Sequence, residues 1–249
     1  RLTSETINDL SAPNGVIAYT YDKVGNRLTR TSTVAGIRNQ AFAYDANDRI
    51  TTESYDANGN TLASDSRTFG YDFENHLSSA DGGVTFAYNG DGIRVAKSVG
   101  GVTTQFLVDG RNPTGYAQVL EEVVGGSVER SYVYGLKLIS QKQASGVSFY
   151  GYDGHGSVRY LTDLAGNVTD TYSYDAFGNL LAQVGSTPNV YRYAGEQRES
   201  AIDLYYLRAR NYNPPVARFV SRDWVERDVF TPKELHNYLY AQANPQNRN

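Results

Sequence analysis

Residues 19–29 read Tyr19-Thr20-Tyr21-Asp22-Lys23-Val24-Gly25-Asn26-Arg27-Leu28-Thr29, and this stretch decides the fold. An aromatic residue, one spacer and a tyrosine run into Asp-x-x-Gly, and an alternating stretch follows. Residues two apart share one face of a β-strand, so Tyr19 and Tyr21 put two rings on one side. A type I turn favours Asp or Asn at its first position, where the side chain accepts hydrogen bonds from the turn's own amides, and Gly at its fourth. The unit is strand, tight turn, strand.

The aromatic dyad recurs at Tyr19/Tyr21, Phe42/Tyr44, Phe69/Tyr71, Phe86/Tyr88, Tyr132/Tyr134, Tyr150/Tyr152, Tyr172/Tyr174 and Tyr191/Tyr193. Its tyrosines lie 23, 27, 17, 46, 18, 22 and 19 residues apart. Most of these gaps hold two strands and a turn. The gap of 46 suits two units, one of them degraded around Phe106-Leu107-Val108-Asp109-Gly110. A repeat this regular sets the architecture before any single residue points to chemistry.

Seven turns open directly after a tyrosine, at Asp22, Asp45, Asp56, Asp72, Asn89, Asp153 and Asp175. Three residues later stand Gly25, Asp48, Gly59, Asn75, Gly92, Gly156 and Gly178, all of residue types that tolerate a left-handed backbone. The breaks Ala80-Asp81-Gly82-Gly83, Val99-Gly100-Gly101 and Gly125-Gly126-Ser127 read as hairpin connections. Asn-Gly-Asp-Gly at 89–92 and Asp-Gly-His-Gly at 153–156 look superficially like metal loops. A calcium loop needs six or more oxygens at defined spacing with a bidentate Glu, which is missing, so turn chemistry is preferred and no metal is expected.

The 249 residues suffice for one large β domain. Basic and acidic side chains number 23 and 27, with no basic patch, which argues against nucleic-acid binding. No apolar run reaches 18 residues, so no membrane span and no signal peptide are expected. Cysteine is absent, which removes disulfides, thiol catalysis and Cys-ligated zinc. The three histidines, His76, His155 and His236, lie far apart in sequence, against a His-metal site or a Ser-His-Asp triad. No cofactor is expected. The 21 tyrosines against 9 phenylalanines suit a sheet with one partly wet face or cross-strand ring ladders.

From Tyr193 the texture changes, with more charge and with Pro214, Pro215 and Pro232. Thr231, Pro232 and Glu234 form a capping box that predicts one short helix within 230–243. Residues 1–12 read as a turn of helix or an incomplete first strand. The division is a repeat region, 1–194, and a distinct closing region, 195–249.

The Tyr-Asp-x-x-Gly-x-x-Leu pattern resembles the YD repeats of the Rhs family, which includes bacterial polymorphic toxins, the C component of insecticidal Tc toxins and the animal teneurins. The tail makes the likeness specific. Tyr193-Ala194-Gly195-Glu196, the stretch Asp203 to Tyr212, and Arg218-Phe219-Val220-Ser221-Arg222-Asp223 look like the core that closes such arrays. Asn237-Tyr238-Leu239-Tyr240 with Asn244-Pro245 fits the family's last block.

The resemblance implies an all-β chain of consecutive antiparallel hairpins in a spiralling, curved sheet, part of a hollow shell. In toxin members the shell encloses a C-terminal effector, the core plugs it, and many members cut the effector free with a pair of aspartates. Asp223 matches the first of these, but Trp224 and Glu226 replace the proline and glycine of its motif, and the second motif would fall beyond Asn249. A lone carboxyl cannot serve as both acid and base, so this chain is expected to be non-catalytic, with self-cleavage only in a longer chain. Arg208, Arg210, Arg218 and Arg222 would support the carboxylates, or would pair with Glu196, Glu199 or Asp203.

The expected function is enclosure and delivery of a C-terminal effector by a secreted or surface-located bacterial protein. Its partner is then its own cargo segment or further repeats of the parent chain. The alternative is a fibre or surface-interaction module, with a carbohydrate-binding variant, that self-associates through open sheet edges.

Overall fold

The computed structural model describes residues 1–10, 12–223 and 236–246. Strands β1 (Ser4–Ile7), β2 (Gly15–Tyr21), β3 (Arg27–Ser32) and β4 (Gln40–Ala41) form a first sheet. Fourteen strands follow: β5 (Ser54–Tyr55), β6 (Thr61–Ser64), β7 (Arg67–Tyr71), β8 (Leu77–Ala80), β9 (Val84–Tyr88), β10 (Arg94–Val99), β11 (Val102–Asp109), β12 (Gln118–Val124), β13 (Ser127–Tyr134), β14 (Leu138–Gln143), β15 (Gly146–Tyr152), β16 (Val158–Thr162), β17 (Val168–Tyr174) and β18 (Leu180–Val184). They make one sheet whose order is simply chain order. The last sheet is β19 (Gln197–Glu199), β20 (Leu204–Leu207), β21 (Arg210–Asn213) and β22 (Arg218–Phe219), again in chain order. The fold is all-β, and its neighbours pair antiparallel. The first segment is a strand, β1. Of the expected helix, residues 230–235 and its capping box lie outside the described residues, while 236–243 holds a bridge from Leu239 to Arg218 and a 3-10 turn, Ala241–Ala243.

The YD turns are built around a side-chain oxygen, a carboxylate's at all but Asn89. Asp153 Oδ1 accepts the amides of His155 at 3.0 Å and Ser157 at 2.9 Å. Gly156 N donates to the Asp153 carbonyl, closing the type I turn. The same pair of amides is held by Asp45, Asp72, Asn89 and Asp175. All seven fourth-position residues have positive φ, from 61° at Asp48 to 117° at Gly25. The register then shifts just before the dyad tyrosine, as at Thr20/Tyr21, Gly70/Tyr71 and Gly151/Tyr152. A type I turn, a left-handed residue and a bulge together give the twist a hairpin needs. An eighth turn of the same build sits at Asp163, which follows Thr162 instead of a tyrosine. The opposite connections Gly100-Gly101 and Gly125-Gly126 have positive φ at both positions, as two-residue type I′ loops require. The gap of 46 does hold an extra hairpin, β11–β12, whose long turn is organised by Asn112.

One sheet face is buried and the other is wet. Phe106 and Tyr132 are 7% and 5% exposed, whereas their neighbours Leu107 and Val133 are 52% and 57% exposed. The second dyad position is tyrosine in all eight copies, and in three of them its hydroxyl has the same task. Tyr44, Tyr88 and Tyr152 donate to the carbonyls of Arg27, Leu77 and Leu138 at 2.8, 2.9 and 2.6 Å. Each acceptor lies opposite the dyad tyrosine of the preceding hairpin: Arg27 opposite Tyr21, Leu77 opposite Tyr71 and Leu138 opposite Tyr134. Phenylalanine would bury as well but could not make this tie.

The chain groups into two compact units. The first is Arg1–Ser66, Tyr172–Gln183 and Arg210–Asn249; the second is Arg67–Thr171 and Val184–Ala209. The core of the first gathers Ile17, Tyr19, Val34, Ala176, Phe177 and Ala217, with Phe177 edge-on to Tyr19 at 5.1 Å. That of the second has Tyr191 edge-on to Tyr132 at 5.1 Å and to Tyr150 at 6.4 Å, while its hydroxyl meets Tyr134's at 2.9 Å.

Two glycine-to-alanine changes separate backbone strain from crowding. At Gly166 a methyl meets nothing within 4 Å, so only the left-handed φ is penalised, by about 1 kcal/mol. At Gly59 the methyl arrives 2.8 Å from the Tyr238 hydroxyl, which itself donates to the Gly59 carbonyl. Chemical denaturation is expected to give a clearly larger loss for Gly59→Ala than for Gly166→Ala.

Candidate functional site: the arginines near Asp223 and a buried carboxyl cluster

Two residues of the candidate set meet. Arg210, on β21, reaches Asp223 with a 3.0 Å ion pair, and its guanidinium lies over the Phe219 ring at 3.7 Å. The Asp223 amide donates to the Asn237 carbonyl at 2.9 Å. The carboxylate is therefore fixed by both its side chain and its backbone.

The remaining arginines go elsewhere. Arg208 pairs with Glu196 and stacks over Tyr116 at 5.0 Å. Burial pushes the Glu196 carboxyl up, and Arg208 opposes that. Arg222 is exposed, with its stem beside Gly59. Arg218 is buried between the Tyr44 and Tyr238 rings, at 4.9 and 4.8 Å. It donates to Asn26 Oδ1 at 3.2 Å and to the Asp48 carbonyl, so it reads the first two YD turns. His236 joins the same cluster. Its Nδ1 accepts the Tyr238 amide at 3.1 Å, which leaves the proton on Nε2, 2.7 Å from Asn26 Oδ1. Glu199 and Asp203, the other expected acids, pair with Arg94 and Arg198.

The repeat-signature residues hold turns. The oxygens of Asp22, Asp45, Asp72, Asp153 and Asp175 are occupied by their own turn amides. Among the described residues no three His, Asp or Glu side chains converge as a metal site would need.

A carboxyl cluster went unnoticed in the sequence. Glu5, on β1, accepts the Tyr19 hydroxyl at 2.6 Å and the Ala176 amide at 2.8 Å. The neighbouring Asp175 is buried and accepts the Phe177 and Asn179 amides and the Asn179 side chain. Burial, then Asp175, raises the Glu5 carboxyl to about 7; the Tyr19 and Ala176 hydrogen bonds and Arg30 act the other way. Burial also raises Asp175. Nothing in the local sequence marks Glu5, because Asp175 and Ala176, which bury it, lie about 170 positions away.

The sign of the pH effect follows. The folded value of Glu5 lies above the ordinary 4.5, so its contribution is complete below 4.5 and is lost as pH rises through about 7. Thermal melts should show the protein more stable at pH 5.5 than at pH 8. Glu5→Gln should flatten that slope, whose ceiling is about 3 kcal/mol.

These features coincide with a known architecture. The chain matches the teneurin YD-shell model over residues 5–246. It is 32% identical to the tRNA3(Ser)-specific nuclease WapA of Bacillus spizizenii and to the tRNA nuclease WapA of Bacillus subtilis, covering 98% of this chain and 11% of each relative. The fold superposes on the crystal structure of TcdB2-TccC3 with a TM-score of 0.73 at 19% identity, over 94% of this chain and 13% of that one. The chain thus spans about a tenth of the length of these relatives. It belongs to the teneurin YD-shell family.

Proposed function

We propose that this module is a stretch of wall in a larger secreted Rhs-type protein, and that the wall encloses an effector carried C-terminally by the same parent chain. The observation that carries this reading is the run of consecutive hairpins, with one face buried in rings and, among the described residues, no crossover in the order. Such a sheet grows by addition of identical units, which suits a wall of arbitrary extent. The tRNA nuclease named for the Bacillus relatives is the kind of cargo it would hold away from the cytosol. The module's own role is mechanical. Limited proteolysis of the full-length parent should leave the downstream segment intact while a free copy of that segment is digested. Equal digestion rates would end the enclosure idea.

A second reading, self-cleavage in a longer parent chain, is favoured by one observation: Asp223 is held by Arg210 and by its own backbone. Carrying the chain through the next few dozen residues of its parent should then yield a cleaved product that Asp223→Asn abolishes. Cleavage unchanged by the substitution removes Asp223 from the mechanism.

A further inference from the structure

Arg27 opens β3 and is only 4% exposed. One of its nitrogens donates to the Pro215 carbonyl at 2.5 Å. Its Nε and Nη1 are buried without a hydrogen-bond partner among the described residues, and no carboxylate among them pairs with it. Three ring faces, Tyr19, Phe42 and Phe177, lie 5.4 to 5.9 Å from the guanidinium and offset part of its charge. A buried cation still demands a negative partner, because an unpaired charge in low dielectric is costly.

A second unpartnered donor adjoins it. The Tyr21 hydroxyl is buried and has no acceptor, unlike those of Tyr44, Tyr88 and Tyr152. Burial raises the Tyr21 phenol, which keeps its proton and remains a donor. Tyr21 and Arg27 line one cavity of about 10 Å³, together with Val216, Ala217, Arg218 and Leu239. That volume accommodates one water-sized body. The guanidinium nitrogens of Arg218, the second cation there, are already engaged with Asn26 and Asp48. The side-chain groups lining it that lack a partner, Arg27 Nε and Nη1 and the Tyr21 hydroxyl, can all donate. An acceptor-only ligand of unit negative charge uses all three donors and offsets the Arg27 charge, which a neutral water does not.

We propose that the cavity between Tyr21, Arg27 and Arg218 is a binding site for a small monovalent anion of the halide class, chloride in solution. Arg27 Nε and Nη1 and the Tyr21 hydroxyl donate to it. The anion fastens the 214–218 turn and the Leu239 segment to the start of β3, all within the first compact unit.

Bromide is the probe. Crystals of the full chain grown in bromide should give an anomalous peak within hydrogen-bonding distance of Arg27 and the Tyr21 hydroxyl. Melting temperature should rise and saturate with sodium chloride but not with sodium gluconate at equal ionic strength, and Tyr21→Phe should shrink that chloride-specific rise. Both the peak and the chloride-specific rise are required. No peak, or a water in the cavity, overturns the site. A peak with identical melting in the two salts marks an adventitious ion only and overturns it too, as does a chloride effect that Tyr21→Phe leaves at full size.

Discussion

A side-chain oxygen of Asp or Asn that accepts two amides of its own turn is what the YD hairpins of this chain are built upon. A reversal exposes backbone N–H groups that have no strand partner, and buried or half-buried ones must be satisfied somewhere. Asp Oδ1 takes the second and fourth following amides at once, as at Asp45, Asp72 and Asp175. The left-handed residue and the bulge then set the twist, so the turn dictates the register of the strands on either side. Because that information is contained in five residues, the unit can be copied, and copies lie in chain order.

Copying alone would leave hairpins joined only by their ladders. At Tyr44, Tyr88 and Tyr152 the dyad tyrosine adds a second bond between neighbours, from its hydroxyl to a carbonyl opposite the previous dyad. This divides the labour within each pair of rings. The first ring is Phe at some copies and Tyr at others, as Phe69, Phe86, Tyr132 and Tyr172 show; its bulk is buried in all four, and where it is Tyr the hydroxyl can take a local partner, as Tyr19 does with Glu5 and Tyr132 with Glu122. At positions 44, 88 and 152 the second ring has to be Tyr, since a buried carbonyl left without its donor would be penalised by about 1–3 kcal/mol.

The sequence therefore announces what is local and conceals what is not. The turns at Asp22 or Asp153 were legible because their partners lie within four residues. Asp163 was missed because a threonine precedes it, although its amide-accepting geometry is identical. In the candidate site, the pairing of Arg208 with Glu196 was legible as one of two options, being 12 residues apart. Arg218 was not: its acceptors are 170 and 192 residues away, and no periodicity links them. Glu5 was hidden for the same reason. A carboxyl at the start of a strand reads as solvated until the fold brings Asp175 beside it.

The buried charges of the closing segment are best understood as registration devices. Glu199 is 3% exposed and holds Arg94 at 2.7 Å and Lys97 at 3.1 Å. Arg94 also stacks on Tyr206 at 3.9 Å and reaches Gln197. Such a triad gains little over a well-packed apolar cluster, because desolvation consumes most of the Coulombic attraction. What it supplies is exclusivity. A sheet made of near-identical hairpins offers many equivalent seats to a strand such as β19, and aromatic rings would accept several of them. β10 presents Arg94 and Lys97 to Glu199, a spacing of two cations that β12, β14 and β16 do not offer. In a repeat protein, where hydrophobic contacts tell one unit from the next poorly, a buried carboxylate left unsatisfied beside the neighbouring strands is what favours the right seat.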